Sequence, residues 1–443
     1  MQTLSQLQSG QLANSKRLKL SCELTSFPPE IFELADSLEI LDLSNNCLTT
    51  LPDNLGQLKK LKILFLSCNP FETLPEVLAD CPNLSMIGFK ANCISDVPEA
   101  ALPPGTRWLI LTDNRIQKLP ESMGQLQHLQ KLMLAGNQLR TLPESMAACK
   151  RLELVRLAAN QLQNLPPWLL TLPRLAWLAY SGNPCCSQLA VKSAPEPNLP
   201  NIDWSDLTLA ETLGEGASGV IFKGLWQTLP TPKTVAVKIF KGQVTSDGLP
   251  NDEMQACISS GLHSNLVNVL GRVINHPRGH EGLIFSFVPP RYQNLGNPPS
   301  FDTCTRDTYP QGRAFDLTKM LRISRGIAAA ATHLHSKGIM HGDLYAHNIL
   351  IDEIGESLLG DFGAASLYDT ANQDFARRLE RIEVRAFGCL LQELLDRCQI
   401  ADLAAQKSVD NLRKLQADCL SEIPEQRPLF SDICRFLENL YSR

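Results

Sequence analysis

Leucines recur through the first part of the chain at a fixed beat. The run Leu38-x-x-Leu41-x-Leu43-x-x-Asn46-x-Leu48-x-x-Leu51-Pro52 returns as Leu61, Leu64, Leu66, Asn69, Phe71, Leu74 and Pro75. It returns again as Leu129, Leu132, Leu134, Asn137, Leu139, Leu142 and Pro143. The asparagines stand at 46, 69, 92, 114, 137, 160 and 183, in steps of 23 with one step of 22. Each Leu-x-Leu pair predicts a short strand with both leucines on its inner side, because strand side chains alternate. The asparagine stands where its side chain can satisfy backbone groups as the chain bends after the strand. The Leu-Pro step then ends that bend. One such unit cannot bury its own leucines, so the pattern predicts a stack of coils whose stability is close to a nearest-neighbour sum. The first copy, Leu18 to Pro28, has Glu23 near the asparagine position and reads as a cap; the last, Leu175 to Asn183-Pro184, stops early.

This pattern, over about residues 15–184, resembles the leucine-rich repeat. The resemblance implies an α/β solenoid in which the residues between leucines face the concave surface. The residue before the second leucine of each copy is Ile40, Ile63, Met86, Trp108, Lys131, Leu154 and Trp177, with Phe65, Ile110 and Met133 flanking that column. Six of these seven are apolar. Scattered exposed apolar residues are ordinary, but a contiguous column is a larger patch than a monomer usually shows to water. The expectation is a protein-binding face on Ile40, Ile63, Phe65, Met86, Trp108 and Trp177, for a protein substrate, a regulator or the chain's own second domain. Pro195, Pro197 and Pro200 mark residues 185–203 as a semi-rigid linker.

Beyond the linker the period changes. Leu207 to Leu213, then Gly214-Glu-Gly216-Ala-Ser-Gly219, then Val220-Ile-Phe222 reads as strand, glycine turn, strand. Backbone amides in such a turn can approach phosphates because glycine has no Cβ. No helix follows the turn, which argues against a dinucleotide-binding fingerprint. Val235-Ala-Val-Lys238 is a β-branched run ending in a lysine that needs a carboxylate to hold it. Glu253, in the helical stretch Asn251 to Ser260, is the expected partner, with Asp252 as the alternative. Leu321 to Lys337 reads as a helix stopped by Gly338. His341-Gly-Asp343-x4-Asn348 and Asp361-Phe-Gly363 follow. Asp343 is placed to accept or orient a hydroxyl proton. Asn348 and Asp361 offer hard oxygens of the kind Mg²⁺ accepts.

In this order and at these separations, the motifs of residues 203–443 resemble a protein kinase domain. The whole chain resembles a bacterial leucine-rich-repeat protein kinase. The fold expected is therefore an α/β solenoid over 1–184, the linker 185–203, and an α+β two-lobed kinase-like domain over 204–443, with its N-lobe over 204–288 and C-lobe over 289–443. The resemblance implies ATP and Mg²⁺ in the cleft between the lobes. Leu213, Gly214, Gly216, Gly219, Val220, Lys238, Glu253, Ser286 and Val288 would hold the nucleotide. Asp343, Lys238, Asn348 and Asp361 would carry the chemistry, and Asn348 and Asp361 the metal. Leu283 to Val288 would lead into the hinge, with Phe285 near the back of the adenine pocket. Phe387 to Leu395 resembles the buried central C-lobe helix. Pro424-Glu-Gln-Arg427-Pro428 resembles the late arginine motif of tyrosine-kinase-like kinases.

The chain departs from that family in specific places. Gly342 stands where an arginine usually reads a phosphorylated activation loop. The stretch from Asp361 to Glu383, at the start of the central helix, is short and holds no Ala-Pro-Glu. Tyr345 replaces the lysine of serine/threonine kinases. Arg427 lacks its usual glutamate, for which Glu380 is a substitute. Regulation by activation-loop phosphate is therefore not expected, and the solenoid is the expected regulator. The expected function is a protein kinase of serine/threonine type, targeted or regulated by its repeats. A small-molecule phosphotransferase of the aminoglycoside or choline-kinase kind, and a repeat scaffold with a weakly active kinase-like half, are the alternatives.

Composition narrows this little further. A net charge of −5 without a basic block gives nucleic-acid binding no support. No apolar run approaches the ~18 residues of a membrane span. The first residues lack the apolar core of a secretory signal. The 14 cysteines form neither CxxC pairs nor Cys/His clusters, which suits reduced thiols in a cytoplasmic protein.

Overall fold

The structure is a computed structural model that describes residues 2–187, 199–228, 230–242, 244–400 and 402–441. The chain divides into two compact units. One comprises Met1–Leu172 with Asn183–Cys185, the other Pro173–Gly182 with Cys186–Arg443.

The first unit opens with helix α1 (Leu4–Gln8), closed by a capping box in which Thr3 and Gln6 exchange hydrogen bonds. Seven three-residue strands follow: β1 (Arg17–Lys19), β2 (Ile40–Asp42), β3 (Ile63–Phe65), β4 (Met86–Gly88), β5 (Trp108–Ile110), β6 (Lys131–Met133) and β7 (Leu154–Arg156). They pair in parallel in chain order, with Ile40 beside Ile63 and Trp108 beside Lys131. The inner leucines, such as Leu41, Leu43, Leu64 and Leu66, are wholly buried. After Pro75, Pro120, Pro143 and Pro166 the chain enters a 3-10 helix, where proline's fixed φ suits the turn.

The asparagines do what their spacing predicts. Asn69 Nδ2 donates to Leu43 O at 3.0 Å and Leu66 O at 3.1 Å, while its Oδ1 accepts from Leu48 N at 2.9 Å. Asn46, Asn114, Asn137 and Asn160 repeat the arrangement. Each side chain thus ties its own bend to the preceding coil.

The expected apolar face is narrower than its sequence. Ile63, Met86 and Leu154 are buried, whereas Ile40, Phe65 and Trp108 are half-buried. Phe65 lies over Gly88, whose missing side chain leaves it room. Lys131 Nζ sits 4.2 Å from the Trp108 ring centroid.

Strand β8 (Trp177–Ala179) carries the last leucine motif; Pro173–Gly182, in which it lies, belongs to the second unit, while Asn183–Cys185 belong to the first. Helix α2 (Pro184–Ser187) follows. The middle of the expected linker, including Pro195 and Pro197, lies outside the described residues. Its far end does not act as a linker, because β9 (Asn201–Asp203) is an edge strand of the next sheet. That sheet also holds β10 (Leu207–Glu215), β11 (Gly219–Trp226), β12 (Lys233–Phe240), β13 (Val269–Ile274) and β14 (Gly282–Ser286), in the order β10-β11-β12-β14-β13-β9. Ile202, Leu207, Val235, Val237, Val273 and Ile284 form its core. Helix α3 (Pro250–Ser260) starts with proline in its first turn.

The rest is mainly helical. Helix α4 (Leu317–Ser336) is capped by the Asp316 carboxylate, which accepts from Lys319 N at 2.7 Å. Gly338 follows at φ +70°, where a Cβ would lie 2.4 Å from Tyr368 O. Helix α5 (Gln373–Leu395) is capped by Asn372 and buries Phe387, Leu391 and Leu394. It begins ten residues before Glu383, so the segment after Asp361 is shorter than its sequence suggested. Helices α6 (Leu403–Cys419) and α7 (Phe430–Tyr441) complete the unit. Among the described residues, no helix is long and apolar enough to cross a membrane.

Candidate active site

Strand pairing builds one wall of a cavity of about 540 Å³. Gly219 pairs with Phe240 and Ile221 with Lys238, which puts Ile221, Ala236 and Lys238 on one face of the sheet. Leu213, Gly216, Gly219, Lys238, Glu253, Ser286, Val288, Asn348 and Asp361 all line this cavity, as does Phe285. Two expected nucleotide contacts do not. Val220 points to the other side of β11, because successive strand residues alternate, and Ile221 takes the position assigned to it. Gly214 lies in β10, outside the lining. Gly219 is closely packed: a Cβ there would lie 2.5 Å from Ile239 O, while nothing crowds Gly216.

Lys238 Nζ is paired with Glu253 Oε1, and both side chains are almost buried. Asp252 is not the partner. Burial pushes the Glu253 carboxyl above its ordinary range, with Asp361 adding to this and Lys238 opposing it.

The loop that carries Asp343 is held by hydrogen bonds to its backbone. Glu383 Oε1 accepts from Gly342 N at 2.7 Å and Oε2 from His341 N at 3.2 Å. Oε2 also lies 2.8 Å from His335 Nε2. Burial favours protonation of Glu383, but His335, His341 and the Gly342 amide outweigh it and hold the carboxyl below its ordinary range. Asp343 N donates to His341 Nδ1 at 3.3 Å, so His341 Nε2 carries the proton and donates to Gly360 O at 2.9 Å. That bond links the Asp343 loop to the residue before Asp361.

Asn348 Nδ2 donates to Asp343 Oδ2 at 2.7 Å and to Asp343 O at 3.0 Å. The amide nitrogen is thereby committed, and Oδ1 is the atom left to meet a cation. Asp361 has φ +55°, a left-handed backbone that a non-glycine residue adopts at some cost. Its Oδ1 accepts from Gly363 N at 3.1 Å. Two oxygen-bearing side chains facing one cavity fit Mg²⁺, which keeps waters and phosphate oxygens as its other ligands. Among the described residues, no group of three or more His, Cys, Asp or Glu could hold a metal by itself.

Three features escaped the sequence reading. Glu383 was visible only as the start of a helix, not as the anchor of the Asp343 loop. His347 also lines the cavity; its N–H donates to Asp307 Oδ2 at 2.8 Å and its Nδ1 lies 2.8 Å from Asp307 Oδ1. Burial lowers the His347 pKa, but Asp307, with Asp343 and Asp361 beyond, raises it above its ordinary value on balance. Lastly, Glu380 does not serve Arg427. Its carboxylate accepts from Phe430 N at 2.8 Å. Arg427 instead donates to three carbonyls: Ser421 at 3.0 Å, Arg381 at 3.0 Å and Pro173 at 2.7 Å.

Residues 207–389 match the family described as protein tyrosine and serine/threonine kinase, and residues 16–71 and 104–162 match the leucine rich repeat. Similar proteins include fibroblast growth factor receptor 1 of Xenopus laevis, 24% identical over 59% of this chain and 38% of the relative. A probable LRR receptor-like serine/threonine-protein kinase of Arabidopsis thaliana is 24% identical over 54% of this chain and 48% of its own length. A putative proline-rich receptor-like protein kinase of the same plant is 27% identical over 52% and 33%. The chain thus spans less than half the length of these relatives. It carries a leucine-rich repeat region followed by a protein kinase domain.

Proposed function

We propose that this chain is a Mg·ATP-dependent protein kinase acting on serine or threonine hydroxyls and targeted or regulated by its own leucine-rich repeats. The observation that carries this reading is the buried Lys238–Glu253 pair in the same cavity as Asn348 and Asp361. The chain is read as one of the bacterial type, with His341-Gly342-Asp343 as its catalytic loop, working in the cytoplasm.

In this reading Glu253 holds Lys238 extended toward the inner phosphates of ATP, and the amides of the Gly216–Gly219 turn cover the outer ones. Asp343 orients the acceptor hydroxyl and takes its proton. Asn348 and Asp361 would hold Mg²⁺, which would supply charge neutralisation to the phosphates. Catalysis is then positioning and charge stabilisation, with no covalent step on the protein. On the repeats, the proposed protein-binding face reduces to Ile40, Phe65 and Trp108, because Ile63 and Met86 are buried.

The test is to incubate wild type and Asp343→Ala with γ-labelled ATP, Mg²⁺, generic acceptor proteins and a metabolite extract. Label on serine or threonine of protein, from wild type only, is expected. Label confined to a small molecule would overturn the choice of acceptor. ATP binding without transfer would leave a scaffold.

A further inference from the structure

Trp177 was expected to meet a protein substrate, a regulator or the chain's own second domain. It is only 2% exposed, so it offers no free face to a separate protein. Its indole ring stacks on Tyr345, with centroids 4.3 Å apart and planes 5° from parallel. Its Nε1 donates to Leu344 O at 3.2 Å. Leu344 and Tyr345 directly follow Asp343. The Tyr345 ring in turn packs 5.0 Å from His347, the residue before Asn348.

The rest of this strand is tied down on both sides. Leu178 O faces Gly342 so closely that a Cβ there would lie 2.6 Å away. Tyr180 N donates to Ser366 Oγ at 3.0 Å, in the short segment after Asp361. Arg427 Nη2 donates to Pro173 O at 2.7 Å and Arg385 Nε to Arg174 O at 3.1 Å, which fastens the other end to the helical part of the unit. Asp343 stays half-exposed, so the strand supports the loop without covering its carboxylate.

We propose that residues 173–182 are a built-in positioning element of the kinase domain, with Trp177 fixing the loop that carries Asp343. Only residues 362–372 lie between Asp361 and helix α5, and the loop takes support from the strand at Gly342, Leu344 and Tyr345. The strand supplies that support from a distant part of the sequence. Gly342 is part of the same device, because its missing side chain and φ of +73° admit the Leu178 backbone. Trp177 is a positioning residue: it does not line the cavity and acts through Leu344 and Tyr345. The inference rests on the reading of Asp343 given above.

The test uses the full chain and the variants Trp177→Ala, Trp177→Phe and Tyr345→Leu. Each is compared with wild type in steady-state phosphoryl transfer, ATP binding and amide hydrogen exchange. Trp177→Ala and Tyr345→Leu are expected to lower kcat by about 10- to 100-fold, since small misplacements of reacting groups cost that much. KM for ATP should stay within about threefold, the mark of a change felt only in the transition state. Trp177→Phe keeps a stacking ring but loses the N–H, and should fall between wild type and alanine. Exchange at residues 343–348 should quicken in both truncating variants while β12 stays protected. Tyr345→Leu leaves the strand itself unaltered, so the prediction stands even where Trp177→Ala folds poorly.

Unchanged loop exchange in folded Tyr345→Leu overturns the proposal whatever the activity. Faster exchange with unchanged kcat in an active enzyme overturns the catalytic part of it. A wild type that transfers no phosphate overturns the reading of Asp343 alone, and the exchange result then decides whether the strand braces the loop.

Discussion

The carboxylate of Glu383 accepts the backbone N–H of Gly342 at 2.7 Å, and with it the orientation of the next residue, Asp343. This places a buried anion at the root of the loop. Its pKa lies below the ordinary carboxyl value near 4.5, because His335, His341 and the Gly342 amide outweigh burial. As pH falls, the unfolded chain therefore takes up this proton before the folded one. The stability contributed by Glu383 is complete above about 4.5 and is lost as pH drops further through the folded value. Glu383→Gln should cost about 2–3 kcal/mol near neutral pH, the range for hydrogen bonds to a charged group. The gap to wild type should close in acid. Denaturant unfolding at several pH values measures this, and a gap independent of pH would contradict it.

Gly342 cannot carry a side chain in this setting. Its φ is +73°, and a Cβ would lie 2.6 Å from both Ala364 O and Leu178 O. Gly342→Ala should therefore destabilise by about 1–2 kcal/mol from the backbone alone, and by more from the two carbonyls. Arginine, the usual residue of the family at this position, should do worse still. A thermal melt of Gly342→Ala within a degree of wild type would refute the strained geometry.

The Lys238–Glu253 pair separates stability from chemistry. Lys238→Met leaves a buried carboxylate without its cation, which should cost about 3 kcal/mol or more. Adding Glu253→Gln should recover much of that stability. It should not recover phosphoryl transfer, because the lysine proposed to meet the phosphates is still missing. Melting temperatures and turnover of both variants check this; recovered turnover in the double variant would remove Lys238 from the reaction.

Asn69→Ala tests the ladder. It removes the bonds donated to Leu43 O, Leu66 O and Ser67 O, and leaves Leu48 N without its acceptor in a buried bend. Each buried group left unsatisfied costs about 1–3 kcal/mol, so a loss of at least ~2 kcal/mol is expected. Chemical denaturation followed on the repeats measures it.

What could be read from sequence follows the range of the interaction. The asparagine ladder repeats every coil, so local periodicity was sufficient to place Asn46 through Asn160. The order of motifs was sufficient to pair Lys238 with Glu253, because strand and helix lie close along the chain. Val220 was assigned to the nucleotide because motif spacing does not fix which face of β11 meets the cavity; pairing with β12 puts Ile221 there. Which of its expected partners Trp177 meets was not legible, because Tyr345 lies 168 residues away in the sequence. Arg427 was expected to seek a carboxylate, and the backbone carbonyls that satisfy it, Pro173 among them, leave no side-chain signature.

The central claim is phosphoryl transfer oriented by Asp343. Its most direct measurement is single-turnover transfer from labelled Mg·ATP to a serine/threonine acceptor protein, comparing wild type with Asp343→Asn at matched ATP occupancy. The predicted result is Mg²⁺-dependent label on protein from wild type and a rate lower by about 10²–10⁴ in the variant, the usual contribution of a positioned proton acceptor. ATP affinity should be unchanged. Equal transfer rates from the two proteins, or no transfer from wild type with ATP bound, would contradict the account.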